Sequence, residues 1–315
     1  MSSYTVILNP KSGSGQSFAV IQSLCRELRE LGHLVEIHLS RSLRHVELLT
    51  LEARAAEKDT VIAAGGDGTI SKALECLACS GIPLLVIPTG TENLLACEYG
   101  LDGSLGVARR ALLEGQCRKL DLARANERVF MAVAGFGFDA EVIRRLHQIR
   151  TGHIMHSDYF WPLSRTFWEY PFPTFRVEAD GVCVNDEPAL VFVGNISRYA
   201  TGLDILPEAD GSDGRLDLTI FRCRDQLELL RHSWRTLRRQ VKSGPRVVRQ
   251  RCKHIRVSSP DTDGMVQLDG DPGPRLPIEI EIMPAAARIL TPPAPKGKDR
   301  STPVRYYMLR RWLTR

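Results

Sequence analysis

No apolar run in this 315-residue chain reaches the ~18–20 residues that a helix needs to cross a bilayer. The opening residues, Met1-Ser2-Ser3-Tyr4-Thr5-Val6, lack the basic stretch, apolar core and small-residue cleavage site of a secretory signal, so a cytoplasmic protein is expected. Cysteine is present without organisation. Of the residues at 25, 76, 79, 97, 117, 183, 223 and 252, only Cys76-Leu77-Ala78-Cys79 has the spacing of a metal or redox pair. No second pair or histidine cluster accompanies it, so reduced, structural thiols are expected. Repeats of fixed period are absent. So are two standard nucleotide signatures. No Walker A loop occurs, and the glycine-rich stretch near the N-terminus has Phe18 where the dinucleotide fingerprint needs its third glycine.

What is there reads as a globular protein of one large or two medium domains, 43% hydrophobic and 25% charged. The net charge of +5 is unevenly spread. Residues 231–256 hold ten Lys/Arg and no Asp/Glu, and residues 296–315 hold seven Lys/Arg and one Asp, which leaves the rest of the chain net acidic. Basic patches on an acidic body suit phosphate groups of lipids or nucleic acids.

The first ~125 residues alternate strand and helix. Strands are predicted at Tyr4–Leu8, His33–Leu39, Thr60–Ala64 and Pro83–Ile87, and helices at Gln16–Leu31, Leu43–Glu57 and from Gly65-Gly66-Asp67-Gly68-Thr69 to about Cys79. This order implies a mostly parallel sheet with helices on both faces, and ligands then sit beyond the carboxyl ends of the strands. The second half is β-rich, with strands at 130–134, 174–179, 189–194, 215–221, 254–258, 265–269 and 278–283. Helices are expected at 140–149, 158–169 and 226–241, and a Pro-rich charged linker at 291–303.

Three polar, glycine-bearing turns follow predicted strand ends and should converge on one crevice. Gly65–Thr69 joins a buried strand to a helix, where glycine permits close backbone approach and the helix start favours phosphate. Asp67 is the odd member, because a carboxylate beside phosphates calls for a cation, a hydroxyl or water; the plain alternative is an N-cap. Asn9-Pro10-Lys11-Ser12-Gly13 and Pro88-Thr89-Gly90-Thr91-Glu92-Asn93 are the other two.

Taken together, these turns resemble those of the diacylglycerol kinase catalytic family, which includes bacterial lipid kinases, sphingosine kinases and ceramide kinases. The resemblance continues through Gly135-Phe136-Gly137-Phe138-Asp139-Ala140, Pro207-Glu208-Ala209, Asp213-Gly214-Arg215-Leu216-Asp217 and Gln267-Leu268-Asp269-Gly270-Asp271, and covers roughly residues 4–290. It implies an α/β nucleotide-binding lobe with a parallel sheet at 1–125, a β-rich, sandwich-like lobe at 126–284, a last strand near 285–290 returning to the first lobe, and a basic linker and tail at 291–315. The active site would lie in the cleft between the lobes. The implied reaction transfers the γ-phosphoryl group of ATP, with Mg²⁺, to a lipid hydroxyl of diacylglycerol or sphingoid type. Carried over, Asn9, Pro10, Lys11, Ser12, Gly13, Ser40, Gly65, Gly66, Asp67, Gly68, Thr69, Ser71, Gly90, Thr91 and Asn93 bind the nucleotide. Asp213, with main-chain groups at Asp210 and Arg215, holds a structural Mg²⁺. The family's Asp-Gly-Glu motif supplies the base and here reads Asp269-Gly270-Asp271. Either carboxylate could take the proton, and Asp269 is preferred because it ends a strand at the unchanged position. Glu92 and Leu94-Leu95 also depart from the family pattern.

In 226–242, Leu227, Leu230, Trp234, Leu237 and Val241 share a helical face bordered by Arg231, Arg235, Arg238 and Arg239. Such a helix either packs its stripe on the protein or lies on an anionic membrane. The tail 304–315 (VRYYMLRRWLTR) offers the same mix of aromatics and arginines. A peripheral contact with the inner face of the membrane through 231–256 and 304–315 is therefore expected, and no nucleic acid. Two other readings compete: an NAD kinase relative, which shares Gly-Gly-Asp-Gly-Thr, and a non-catalytic lipid- or nucleotide-binding regulator.

Overall fold

The computed structural model describes residues 1–12, 16–149, 160–199, 203 and 205–293. Gly13 and the basic tail 304–315 lie outside them, as do residues 158–159 of the expected helix. The chain runs β1 (Ser3–Leu8), α1 (Gln16–Glu30), β2 (Leu34–Leu39), α2 (Leu43–Ala55), β3 (Thr60–Gly65), α3 (Asp67–Leu77), β4 (Pro83–Pro88), α4 (Leu94–Glu98), α5 (Leu105–Leu113), β5 (Gln116–Ala125) and β6 (Arg128–Phe130). It continues with β7 (Val133–Phe136), α6 (Phe138–Ile149), α7 (Phe160–Glu169), β8 (Thr174–Ala179), β9 (Val182–Gly194), β10 (Leu216–Arg222), α8 (Gln226–Leu237), β11 (Val247–Cys252), β12 (His254–Ser258), β13 (Met265–Leu268), β14 (Asp271–Arg275) and β15 (Ile278–Thr291).

The first lobe is an α/β layer. β1 lies between β2 and β3, β3 pairs onward with β4, and all are parallel. β3 is buried along its whole length, as expected of a parallel strand covered on both faces. Ser42 caps α2 by accepting from His45 N, and Ser104 caps α5 by accepting from Val107 N.

The second lobe is a β-sandwich. β8, β12 and part of β15 face β7, β10, β13 and the later half of β9 across an apolar interior that includes Phe136, Val177, Val191, Ile220, Ile255 and Ile280. β15 joins the lobes. It pairs antiparallel with β12 and β5, and then Arg288 and Ile289 run parallel to β4.

Several elements differ from the sequence reading. The single strand at 130–134 is two, β6 and β7. β5, β11, β14 and α5 were not foreseen. β14 reads DPGPR, whose prolines and glycine argue against a strand, yet it sits at the end of the strand order, where a missing N–H costs little. α8 ends at Leu237 rather than Val241, because Arg239 adopts φ +56° and stops the helix. The basic stretch 231–256 is therefore not one surface. Its second part forms β11 and β12 within the sheets.

Candidate active site

The parallel strands β1, β3 and β4 end side by side, and the turns that follow them are bonded to one another. Asn9 Nδ2 donates to Thr69 Oγ1 at 3.1 Å, and Thr89 Oγ1 donates to Ser12 Oγ at 2.8 Å. The backbones are stitched as well, Asn9 N to Ala64 O at 2.9 Å and Thr89 N to Gly65 O at 3.0 Å. Gly66 and Gly90 touch so closely that a Cβ on Gly90 would stand 2.6 Å from Gly66 Cα. No side chain fits there, and this is why glycine stands at the junction.

Asp67 is the clasp between the second and third turns. Its two oxygens accept from Asn93 N at 2.8 Å and Leu94 N at 2.7 Å. Burial pushes its carboxyl up to about 6, against the pull of those two N–H groups. It caps the short α4 rather than the helix it begins. Asn93 holds φ +54°, a conformation asparagine tolerates, and its side chain closes on Gly90 N and Gly90 O at 2.8 and 2.7 Å. Ser40 is buried and donates its hydroxyl to Leu8 O at 3.3 Å, so it ties β2 to β1. Pro10 and Lys11 are exposed beside the turns, and Thr91 is exposed at the third.

The two carboxylates of the Asp-Gly-Asp segment have different surroundings. Asp269 is half-buried, with φ +52°. One oxygen accepts from Met131 N and Ser71 Oγ, both at 2.9 Å; the other accepts from Ala132 N at 2.9 Å and Val133 N at 3.0 Å. Burial raises its carboxyl, opposed by these four donors. Asp269 is the preferred proton acceptor in the sequence reading; here both of its oxygens are engaged, by the 131–133 turn and by α3. Ser71, expected at the nucleotide, is the donor that links α3 to this carboxylate. Asp271, half-buried at the start of β14, turns the other way. A Cβ on Gly68, in the first turn of α3, would lie 3.4 Å from its Oδ2. A carboxylate from the second lobe thus faces the helix start that the three turns surround.

The proposed metal turn is a separate feature. Asp210 Oδ1 accepts from Ser212 N and Ser212 Oγ at 3.1 and 2.7 Å. Asp213 Oδ1 accepts from Arg215 N at 2.9 Å, and its Oδ2 lies 3.8 Å from Arg251 Nη1. Among the described residues, no three or more His, Cys, Asp or Glu side chains gather as a metal cluster. What the turn offers is one carboxylate oxygen and main-chain carbonyls, a donor set compatible with a hydrated magnesium ion. The sequence reading passed over Asp121, which fixes this turn. It is buried in β5, accepts from Gly214 N at 2.7 Å and Ala285 N at 2.6 Å, and donates its own N–H to Gly211 O at 2.7 Å. An Asp set between Leu120 and Leu122 was the available signal. A cavity of about 520 Å³, lined by Asp217, Lys242, Arg249 and Arg251 among others, lies away from the three turns.

Comparison with known proteins agrees with the two-lobe architecture. Residues 3–125 match the diacylglycerol kinase catalytic domain, and residues 132–291 match the YegS C-terminal NAD kinase beta sandwich-like domain. A diacylglycerol kinase of Mycobacterium tuberculosis is 33% identical over 296 residues, which cover 91% of this chain and 94% of that protein. A probable YegS-like lipid kinase of Pectobacterium atrosepticum is 25% identical, covering 91% and 95%. A crystal structure of a putative diacylglycerol kinase from Bacillus anthracis shares the fold, with a TM-score of 0.75 at 21% identity over 93% of this chain and 98% of that one. With both lobes matched in order and a relative this similar along nearly its whole length, the chain belongs to the diacylglycerol kinase family of lipid kinases.

Proposed function

We propose that the protein transfers the γ-phosphoryl group of ATP to the hydroxyl of a lipid of diacylglycerol or sphingoid type, with residues 1–125 serving the nucleotide and 126–284 the lipid. The observation that carries this reading is the Asp271 carboxylate set over Gly68, against the turns that follow β1, β3 and β4. Asn9, Lys11, Ser12, Gly65, Gly66, Gly68, Thr69, Gly90 and Thr91 form or border the phosphate cradle, with the N-terminus of α3 supplying the positive dipole end. Asp67 and Asn93 act one step back by fixing the third turn to the second.

Phosphoryl transfer depends on placement and charge stabilisation more than on covalent help from the protein. Asp271 accepts the proton of the lipid hydroxyl as its oxygen attacks the γ-phosphorus, and ADP departs on the opposite side. Asp271 is one methylene shorter than the family's glutamate, and its place over Gly68 brings it to the helix start. Asp213, with carbonyls at Asp210 and Arg215, would hold a structural Mg²⁺, which would stiffen the turn that Asp121 anchors.

The test is turnover of radiolabelled ATP with dispersed diacylglycerol, monoacylglycerol, sphingosine and NAD in parallel. Label in a lipid product supports the reading. Label in NAD alone replaces it with the NAD kinase alternative, and no transfer to any acceptor favours a binding role.

A further inference from the structure

α8 is mounted with its apolar side outward. At about 100° per residue, Leu237, Leu230, Trp234 and Leu227 fall within a sector of about 80°, and Arg238, Arg231 and Arg235 fill the adjoining sector. A helix on a soluble protein ordinarily turns its apolar sector inward. Here the inward residues are Leu229, His232 and Thr236. His232 Nε2 lies 3.0 Å from Arg222 O, and Thr236 Oγ1 donates to His232 O at 2.8 Å. The four large apolar side chains are between 53% and 65% exposed. Val241, expected on the same stripe, lies past the helix end and packs on the lobe instead.

The arginines have not been drawn into the protein's own charge network. Among the described residues none of Arg231, Arg235 and Arg238 forms an ion pair, and Arg238 lies over the Trp234 ring at 4.4 Å. α7 continues the pattern, with Trp161 and Trp168 exposed by 66% and 76%. Both helices cover the same side of the second lobe. Phe167 of α7 and Leu229 of α8 pack with Leu190, Phe192, Phe221 and Val247, while the alternate residues Val191, Val193 and Ile220 fill the sandwich interior. α6, which packs on α7, also packs on β13 and β14, the strands flanking Asp269 and carrying Asp271.

We propose that the outward face of α8, seconded by the tryptophans of α7, seats this protein on an anionic lipid bilayer. Leucine and tryptophan enter the boundary of the acyl chains while arginines meet the phosphates. The charge decides the occupant. A second copy packed antiparallel through the same patch across a two-fold axis would set one arginine row beside the other. The proposal rests on the lipid kinase reading for its purpose only, and its test needs no catalysis.

The full-length protein is floated with vesicles of phosphatidylcholine alone and of phosphatidylcholine with phosphatidylglycerol, without ATP. Wild type is expected on the anionic vesicles only. Arg231→Gln with Arg235→Gln should weaken this binding about 25-fold, at about fivefold per arginine. Trp234→Ser with Leu230→Ser should abolish it with no fall in melting temperature, because those side chains contact little of the protein. Unchanged flotation in both double variants would overturn the proposal, as would equal binding to neutral vesicles. Wild type that ignores vesicles but sediments as a dimer, and becomes monomeric as Trp234→Ser, would overturn it in favour of self-association. Any of these results leaves the lipid phosphorylation assay above unaffected.

Discussion

The two lobes place their functional groups by different means. In the first, placement follows from order along the chain. Adjacent parallel strands end together, so the turns after Leu8, Gly65 and Pro88 arrive side by side, and short contacts such as Gly66 against Gly90 finish the assembly. In the second, a carboxylate is placed by partners far away in sequence. Asp269 is held by N–H groups at 131–133, more than 130 residues earlier, and by Ser71 of the other lobe. The lesson is that two aspartates separated by one glycine divide the labour. One ties the lobes together, and the other faces the start of α3.

That division is open to direct attack. Asp271→Asn removes the proposed proton acceptor and should lower kcat by about 10²–10⁴-fold with little change in melting temperature. A variant retaining near-full turnover would return the base assignment to Asp269. Asp269→Ala should act the opposite way. It strands three backbone N–H groups and the Ser71 hydroxyl in a buried place, at about 1–3 kcal/mol for each unsatisfied group, so stability should collapse by several kcal/mol. Chemical denaturation of the pair of variants separates the roles, and equal stabilities would end the distinction.

Asp67 sharpens the comparison through pH. Its folded carboxyl titrates near 6 because of burial, whereas the unfolded chain ionises near the ordinary aspartate value. Between about pH 4 and 6 the folded state therefore binds more protons, and this group makes stability fall as pH rises, by at most about 3 kcal/mol, with no further change above 6. Asp269, also raised by burial, adds in the same direction. Denaturant midpoints across this range should show a shallower decline in Asp67→Asn; an identical decline would refute the assignment. In Gly90→Ala, the new methyl meets Gly66 backbone, which cannot swing aside as a side chain would. A loss of about 1–3 kcal/mol is expected, with weaker ATP binding by calorimetry. Wild-type stability and affinity would show that the two turns are not in hard contact.

Much of the first lobe was legible because its rules are local. Glycine-bearing turns after short apolar runs announced both the strand ends and the crevice. The second lobe yielded less. β14 was hidden by its prolines, β5 by its charges, and the outward mounting of α8 could not be read from a face that periodicity shows equally well pointing in or out. Ser71, placed at the nucleotide from resemblance, also donates to Asp269, which no local pattern foretold, and Asp121 carried no motif at all.

By itself the sequence determined the alternating order of strands and helices, the β-rich half to follow, and the three glycine-bearing turns, since each depends on patterns within a few residues. Only the tertiary structure decided which aspartate is locked and which faces the crevice, and which way α8 turns. Hydrogen-bond donors more than a hundred residues distant, and the sheet beneath a helix, set those outcomes, and neither leaves a mark in the local pattern.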